Sequence, residues 1–409
     1  MTDLPLKDGS SRDVILVSTA DWDHPFWTNK QHVAVALASL GHRVLYVESV
    51  GLRPPRLEAQ DLRRIWRRLR RGLRPPRRVA PRLWVWSPLL LPAPRSPFQR
   101  GFNRCVFAAL LALWRRTLHL RADLLWTYNP LIGQLLPLQP SGFRQLAYHC
   151  VDDLAAQPCM PAALIAHEEE RLCRACDQVF VTSPALLKSR GCWNPHTRYD
   201  PNVADVVHFA QARDGNLPVA SDLQALPPGP RLGFVGAVSG YKLDLGLLAR
   251  LAHHRSDCQF VLIGRVGEGD PETDLAELMG LRNVHLLGPR PYGQLPSYLR
   301  GFDLALLPCP MNAYTRSMFP MKFFEYLAAG LPVVATDLPA LAEYGSLARL
   351  CANPSSFLAA VDASLTHPQA PDAARSIPLE NLPEWCSYGG RTQLMLAELN
   401  RRLIPTTGA

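Results

Sequence analysis

No apolar run in this chain is long enough to cross a bilayer: the longest, Cys105 to Trp114, is about half of what a membrane-spanning helix needs. No amino-terminal stretch has the charged, apolar and small-residue order of a signal peptide. These two absences predict a cytoplasmic protein that does not cross a membrane. The ten cysteines are scattered, and Cys173-x-x-Cys176 has no second pair to complete a zinc site, so structural or incidental thiols in a reducing compartment are expected. Lysine is absent from Arg53 to Arg82, where twelve arginines face only Glu58 and Asp61, and this segment accounts for the whole net charge of +9. Ile65, Trp66, Leu69 and Leu73 recur among those arginines at near-helical spacing, the pattern of a helix lying on an anionic membrane surface. A solvated charged loop is the plain alternative. No base-reading module accompanies the arginines, so no nucleic-acid partner is expected.

Apolar material is ample, 47% of 409 residues, enough for two or three domains. Short apolar runs read as buried strands at Asp13 to Thr19, Gly41 to Val47, Asp123 to Tyr128, Arg144 to Cys150 and Asp177 to Thr182. Helical patterns separate them, the first running from Thr28 to Leu40 with Thr28 as its cap. Gln211 to Pro230 is rich in Pro, Gly, Ala, Ser and Asp and lacks periodicity. The alternation then restarts at Arg231 to Gly236 and continues at Gln259 to Gly264, Val284 to Leu287, Leu304 to Leu307 and Val333 to Thr336. Strands separated by helices imply parallel sheets. The expected class is α/β: two Rossmann-like doubly wound domains facing a central cleft, at residues 1–210 and 231–382, joined by 211–230. A final helix in 383–409 carries Leu394, Leu396, Leu399 and Leu403. Ligands of such sheets bind beyond the carboxyl ends of the strands, so two facing sheets suit a two-substrate enzyme.

The most informative segment follows the strand Leu304 to Leu307. A helix is expected from Pro320 to Ala329, with Pro at its first position and Gly330 just past its end. Phe323, Phe324, Leu327 and Ala328 form one face; Lys322, Glu325 and Ala329 form another stripe. A lysine in the first turn opposes the helix dipole unless an anion binds there. Helix start and ammonium together suit a diphosphate, and Glu325, one turn deeper, suits the hydroxyls of a ribose. The competing reading is an exposed Lys–Glu pair on a surface helix.

Lys322-Phe-Phe-Glu-Tyr-Leu-Ala-Ala-Gly-Leu-Pro-Val-Val-Ala-Thr336 resembles the donor-site signature of bacterial GT-B glycosyltransferases, in the family-four-like group that builds exopolysaccharide and teichuronic-acid-type polymers. Trp22 to Gln31, Gly41 to Glu48, Leu125 to Pro130, Tyr148 to Asp153, Phe180 to Pro184, Pro201-Asn202 and Phe234 to Ala237 extend the likeness over most of residues 13–345. The resemblance implies a nucleoside-diphosphate sugar as co-substrate, no further cofactor, a saccharide or lipid-linked acceptor, a diphosphate contact for Lys322 and a ribose contact for Glu325. Two positions depart from the commoner pattern. Ser317 stands where many members have a first Glu, and Ala237 where many have a basic residue. Thr315 and Arg316 are the nearest polar side chains to compensate, and Ser317 and Phe319 join them on the donor side.

Phe234-Val-Gly236 leads into a glycine-containing turn that ends at Lys242, making Gly236 and Lys242 donor-side candidates or parts of a simple strand-end turn. Tyr148 to Asp153 ends a strand of the first domain. There His149 and Asp152, favoured through the resemblance, are candidate catalytic groups that accept the acceptor's proton or orient the sugar; a half-buried histidine and a capping aspartate are the alternative. Asp21-Trp22-Asp23 formally matches a metal-binding D-x-D, but its loop position fits acceptor contact better, so no metal is expected. Trp22, Asp23, Asn29 and Lys30 are the acceptor-side candidates. Two rivals stay open: a sugar-nucleotide epimerase on the same scaffold, and a non-catalytic member of a polysaccharide assembly complex.

Overall fold

The computed structural model describes residues 11–24, 26–49, 72, 74–91, 96–366 and 386–402. Most of the arginine-rich block, including Ile65, Trp66, Leu69 and Leu73, lies outside the described residues. The first sheet contains β1 (Asp13–Val17), β2 (Arg43–Val47), β3 (Arg77–Ala80), β4 (Leu83–Trp86), β5 (Leu124–Thr127), β6 (Gln145–Cys150), β7 (Gln178–Val181) and β8 (Thr197–Tyr199). Its order is β3-β4-β2-β1-β5-β6-β7-β8, and only the edge pair β3 and β4 is antiparallel. The second sheet contains β9 (Arg231–Val235), β10 (Gln259–Ile263), β11 (Val284–Leu286), β12 (Leu304–Leu307), β13 (Val333–Thr336) and β14 (Arg349–Cys351), all parallel, in the order β11-β10-β9-β12-β13-β14. Its central strands are buried on both faces, which is why they read as continuous apolar runs.

Helix α1 (Asn29–Ser39) begins at a capping box in which Thr28 and Gln31 bond reciprocally. The first domain also holds α2 (Pro97–Thr117), α3 (Ala162–Ala175) and α4 (Pro184–Gly191); the second includes α5 (Val206–Ala210), α6 (Leu245–His254), α7 (Ala313–Arg316) and α8 (Lys322–Ala328). A last helix, α9 (Tyr388–Arg401), packs against α1, and its Met395, Leu396 and Leu399 enter the core formed by Val14, Leu16 and Leu37. Arg391 bonds the buried Asp200 at 3.1 Å and Gln145 donates to the Leu399 carbonyl at 2.8 Å, so two hydrogen bonds as well as apolar packing hold α9 on the first domain.

The chain crosses between domains earlier than the expected 211–230 stretch. Ala204, Phe209, Ala212 and Leu223 are buried in the core of the second domain. Ala204 pairs with Ser387 and donates to the Cys386 carbonyl at 3.1 Å, so the outgoing and returning segments run side by side. Arg213 then caps the far end of α8, bonding the Ala328 and Leu327 carbonyls at 2.7 Å each. The stretch lacks periodicity because it consists of single helical turns and loops fitted to another domain's surface.

Candidate functional site

Helix α8 begins two residues later than its sequence pattern suggests, with Met321 as N-cap and Pro320 just ahead of it. It is not amphipathic in place: Phe323 to Ala328 are all buried. The Lys322 ammonium lies 2.6 Å from the Glu325 carboxylate, with side chains 17% and 3% exposed, so this is no surface pair. What covers it comes from far along the chain. Lys322 lies over the Phe209 ring at 6.0 Å. His32 of α1 stacks on Tyr388 of α9 at 4.4 Å and 6°, and His208 of α5 stacks on Tyr292 at 4.3 Å and 13°. His32 and Tyr292 approach to 5.6 Å, so rings from both domains meet beside the pair. Burial, then the charge of Lys322, pushes the His32 imidazole down to about 3 and keeps it neutral.

Tyr292 and His208 were not singled out by sequence reasoning. A usable signal existed for Tyr292, which follows the β11 strand in Gly-Pro-Arg-Pro-Tyr, at the carboxyl end of a parallel sheet.

A second cluster spans the cleft beside the ends of β6 and β9. Asp152 accepts a hydrogen bond from Tyr314 of α7 across the domains at 2.9 Å. Lys242 lies over the rings of Tyr314 and Tyr241 at 5.4 and 5.3 Å. Burial pushes its ammonium down, but Tyr241, Asp152 and Glu268 outweigh that and its pKa ends above the usual value. Lys30, from the first turn of α1, is 8% exposed and lies 5.9 Å from the centre of the Tyr128 ring. Tyr128 stacks on His149 at 4.8 Å. His149 is 1% exposed, neither ring nitrogen has a hydrogen-bond partner among the described residues, and burial followed by the charge of Lys30 pushes it down to about 3. Such an imidazole is neutral and a weak proton acceptor. The β6 end is braced from behind: Tyr148 donates to Glu169 at 2.7 Å, and Arg190 bonds Glu169 at 2.8 Å and Asp153 at 3.2 Å. Lysine is scarce in this arginine-dominated chain, and of Lys7, Lys30, Lys188, Lys242 and Lys322 three line the cleft.

Several candidates act through the backbone or through structure. Asn29 links Tyr128 (2.8 Å) to Asn202 (2.9 Å), which donates to the Phe319 carbonyl at 3.0 Å, and Ser183 donates to the Ser317 carbonyl at 2.8 Å. Ser317 and Phe319 thus tie the domains together by their carbonyls. Thr315 is buried in the capping box of α7 with Asn312, while Arg316 is exposed at the end of that helix. Trp22 is buried against Trp27 and Tyr46, and its backbone N–H donates to the Glu48 carboxylate at 2.8 Å. Asp23 pairs with Arg77 at 2.6 Å, and among the described residues no three His, Cys, Asp or Glu side chains converge as a metal site. Gly236 donates to the Ile263 carbonyl at 2.9 Å, and a Cβ on Gly264 would lie 1.6 Å from the Gly236 oxygen, so the ends of β9 and β10 meet backbone to backbone.

Two doubly wound domains facing a cleft, with site residues at the strand ends, define the GT-B architecture. The chain resembles sucrose-phosphate synthase from Thermosynechococcus elongatus, with a TM-score of 0.68 at 17% identity, covering 96% of this chain and 99% of that one. It also resembles Anabaena HepE, solved in complex with UDP, with a TM-score of 0.63 at 14% identity over 95% and 100% of the two chains. These likenesses show the fold. Residues 229–367, within the second domain, match the family described as Glycosyl transferases group 1. The putative teichuronic acid biosynthesis glycosyltransferase TuaH of Bacillus subtilis (strain 168) is 37% identical over 109 residues, 26% of this chain. The match spans 27% of that relative's length.

Proposed function

We propose that the protein is a glycosyltransferase that moves a sugar from a nucleoside-diphosphate sugar to a saccharide acceptor. The observation that carries this reading is the buried Lys322–Glu325 pair, which lies inside the segment matched to the transferase family. Glu325 accepts hydrogen bonds from the ribose hydroxyls, and Lys322 and Lys242 take the diphosphate. The bond from the anomeric carbon to the diphosphate oxygen breaks with its electron pair going to that oxygen. The acceptor oxygen bonds the anomeric carbon, and its proton leaves to a base at the cleft. Lysine ammoniums fixed in a closed, water-poor cleft stabilise the charge growing on the leaving group. Asp152 is the base candidate this geometry favours, because its carboxylate stands at the β6 end against Tyr314 of the other domain, whereas the unpartnered ring nitrogens of His149 suit a hydrogen bond to a sugar hydroxyl.

The reading is tested with a panel of nucleoside-diphosphate sugars in thermal-shift and calorimetric titrations. One of them is expected to bind, and at a hundredfold excess over its Kd to stabilise the fold by about 2.7 kcal/mol. No binding by any nucleoside diphosphate or its sugar would overturn the proposal. Conversion of the donor's sugar without an acceptor would identify an epimerase instead.

A lipid-linked acceptor at the inner face of the cytoplasmic membrane suits the basic first domain. On α2, Phe98, Phe102 and Leu113 are 80%, 45% and 49% exposed. At 3.6 residues per turn they lie within about 60° of one another, opposite the buried Asn103, Phe107 and Leu111. Arg116 shares that face, and Arg100 and Arg104 are exposed beside it. An apolar stripe edged by arginines suits an anionic bilayer. The protein is expected to sediment with anionic but not neutral liposomes, and Phe98→Asp with Phe102→Asp to abolish this. Equal sedimentation with both liposome types would refute membrane binding.

A further inference from the structure

The first domain brings one charge to the cleft that the donor reading leaves unused. Lys30 is 92% buried by its 8% exposure, and among the described residues its ammonium makes no hydrogen bond or ion pair, only the approach to the Tyr128 ring. Burying a lysine side chain without an anion is costly, and a ring face at 5.9 Å offsets little of that cost. The helix that carries Lys30 adds to the imbalance. Lys30 is the second residue of α1, an eleven-residue helix with no acidic side chain in its first turn, so the positive end of the helix dipole lies alongside the ammonium. The positive charge of Lys242 reaches Lys30 from the opposite domain. Against these stands Asp152, which reaches Lys30 only as a longer-range charge and already accepts the Tyr314 hydroxyl. A second polar group here is also unsatisfied: the buried His149, stacked on the other neighbour of Lys30, Tyr128, with both ring nitrogens unpartnered.

We propose that Lys30 is a diphosphate ligand supplied by the first domain, which clamps the anion from the side opposite Lys242. It fills from across the cleft the role that a basic residue at position 237 would fill from the second domain, where this chain has alanine. The anion then neutralises two ammoniums that belong to different domains, so its binding favours the closed arrangement in which they face each other. The assignment rests on the donor reading above.

Inorganic pyrophosphate is the probe, titrated calorimetrically into the full chain. Lys30→Met keeps the apolar stem and removes the charge. It is expected to bind pyrophosphate about 10- to 100-fold more weakly, the loss of one charge-assisted contact. Because the empty site no longer buries a lone ammonium, the ligand-free variant is expected to melt at a higher temperature than the wild type, whereas loss of a merely structural residue would lower it. Lys30→Arg is expected to retain most of the affinity. A Lys30→Met protein that binds pyrophosphate as the wild type does overturns the assignment, as does one that melts lower with affinity unchanged. The donor reading fails separately. If pyrophosphate binding depends on Lys30 but no nucleoside diphosphate binds more tightly than pyrophosphate, Lys30 stands and the nucleotide site falls.

Discussion

Replacing Glu325 with Ala is expected to weaken nucleoside-diphosphate binding by about a hundredfold to a thousandfold, because two hydrogen bonds to an ionised acceptor contribute about 1.5–3 kcal/mol each. The side chain is 3% exposed and its partner in the structure is Lys322 at 2.6 Å, so nothing nearby replaces it. Truncation also leaves the Lys322 ammonium half of a broken pair among the rings of Phe209, His32 and Tyr292. Removing one member of a buried pair costs about 3–5 kcal/mol when the survivor stays buried. Lys322 is 17% exposed and can reach toward the cleft, so the loss of stability should fall below that range. Binding and folding effects separate through the ligand. A 2′,3′-dideoxynucleoside diphosphate lacks the hydroxyls that Glu325 would accept and should bind the variant and the wild type equally. If instead the ordinary ribonucleotide binds Glu325→Ala with unchanged affinity in calorimetry, Glu325 is not the ribose ligand. Lys322→Ala should show the complementary pattern, with affinity lost for the diphosphate and retained for the bare nucleoside.

How much of this was legible follows from what each residue touches. The central strands were readable because a parallel sheet covered on both faces needs unbroken apolar runs, as in Asp13–Val17 or Leu304–Leu307. The strands Arg77–Ala80, Thr197–Tyr199 and Arg349–Cys351 were not. Each is short, lies at or next to a sheet edge, carries arginine and is only partly buried, so its pattern is that of a loop. Spacing alone showed that Lys322 and Glu325 share a helix face. It could not show that Phe209, His32 and Tyr388 cover that face, because those residues meet only through the crossover at Ala204 and the return of α9. Asp152 was readable as a strand-end acid; its bond to Tyr314 was not, since it joins two domains 162 positions apart. The scarcity of lysine was the overlooked signal. A chain that uses arginine almost everywhere keeps three of its few lysines for the cleft.

Acidification should unfold this protein through two neutral histidines in the cleft. Burial lowers both His32 and His149 from 6.5 to about 3, with Lys322 next in its effect on the first and Lys30 on the second. A base whose folded pKa is depressed contributes full stability above its unfolded pKa and loses it as the pH falls, because the unfolded chain takes up the proton and the native one does not. Between pH 7 and pH 5 each should cost about 2 kcal/mol, together about 4 kcal/mol, which is much of the stability of an ordinary domain. His24 works the other way. Its bond to Glu268 across the cleft, 3.5 Å long, raises its pKa, so protonation strengthens that contact as the pH falls. The two side chains are 28% and 37% exposed, and so open a pair offsets little of the loss. Urea unfolding at pH 7 and pH 5 measures the difference directly. Replacing both histidines with Phe keeps the stacks on Tyr388 and Tyr128 and removes the protonation sites. The double variant should lose most of the pH dependence, and an unchanged slope would place the acid sensitivity elsewhere. The same two rings border the Lys322 and Lys30 sites, so a bound diphosphate, by neutralising those ammoniums, should raise both histidine pKa values and flatten the slope in the wild type.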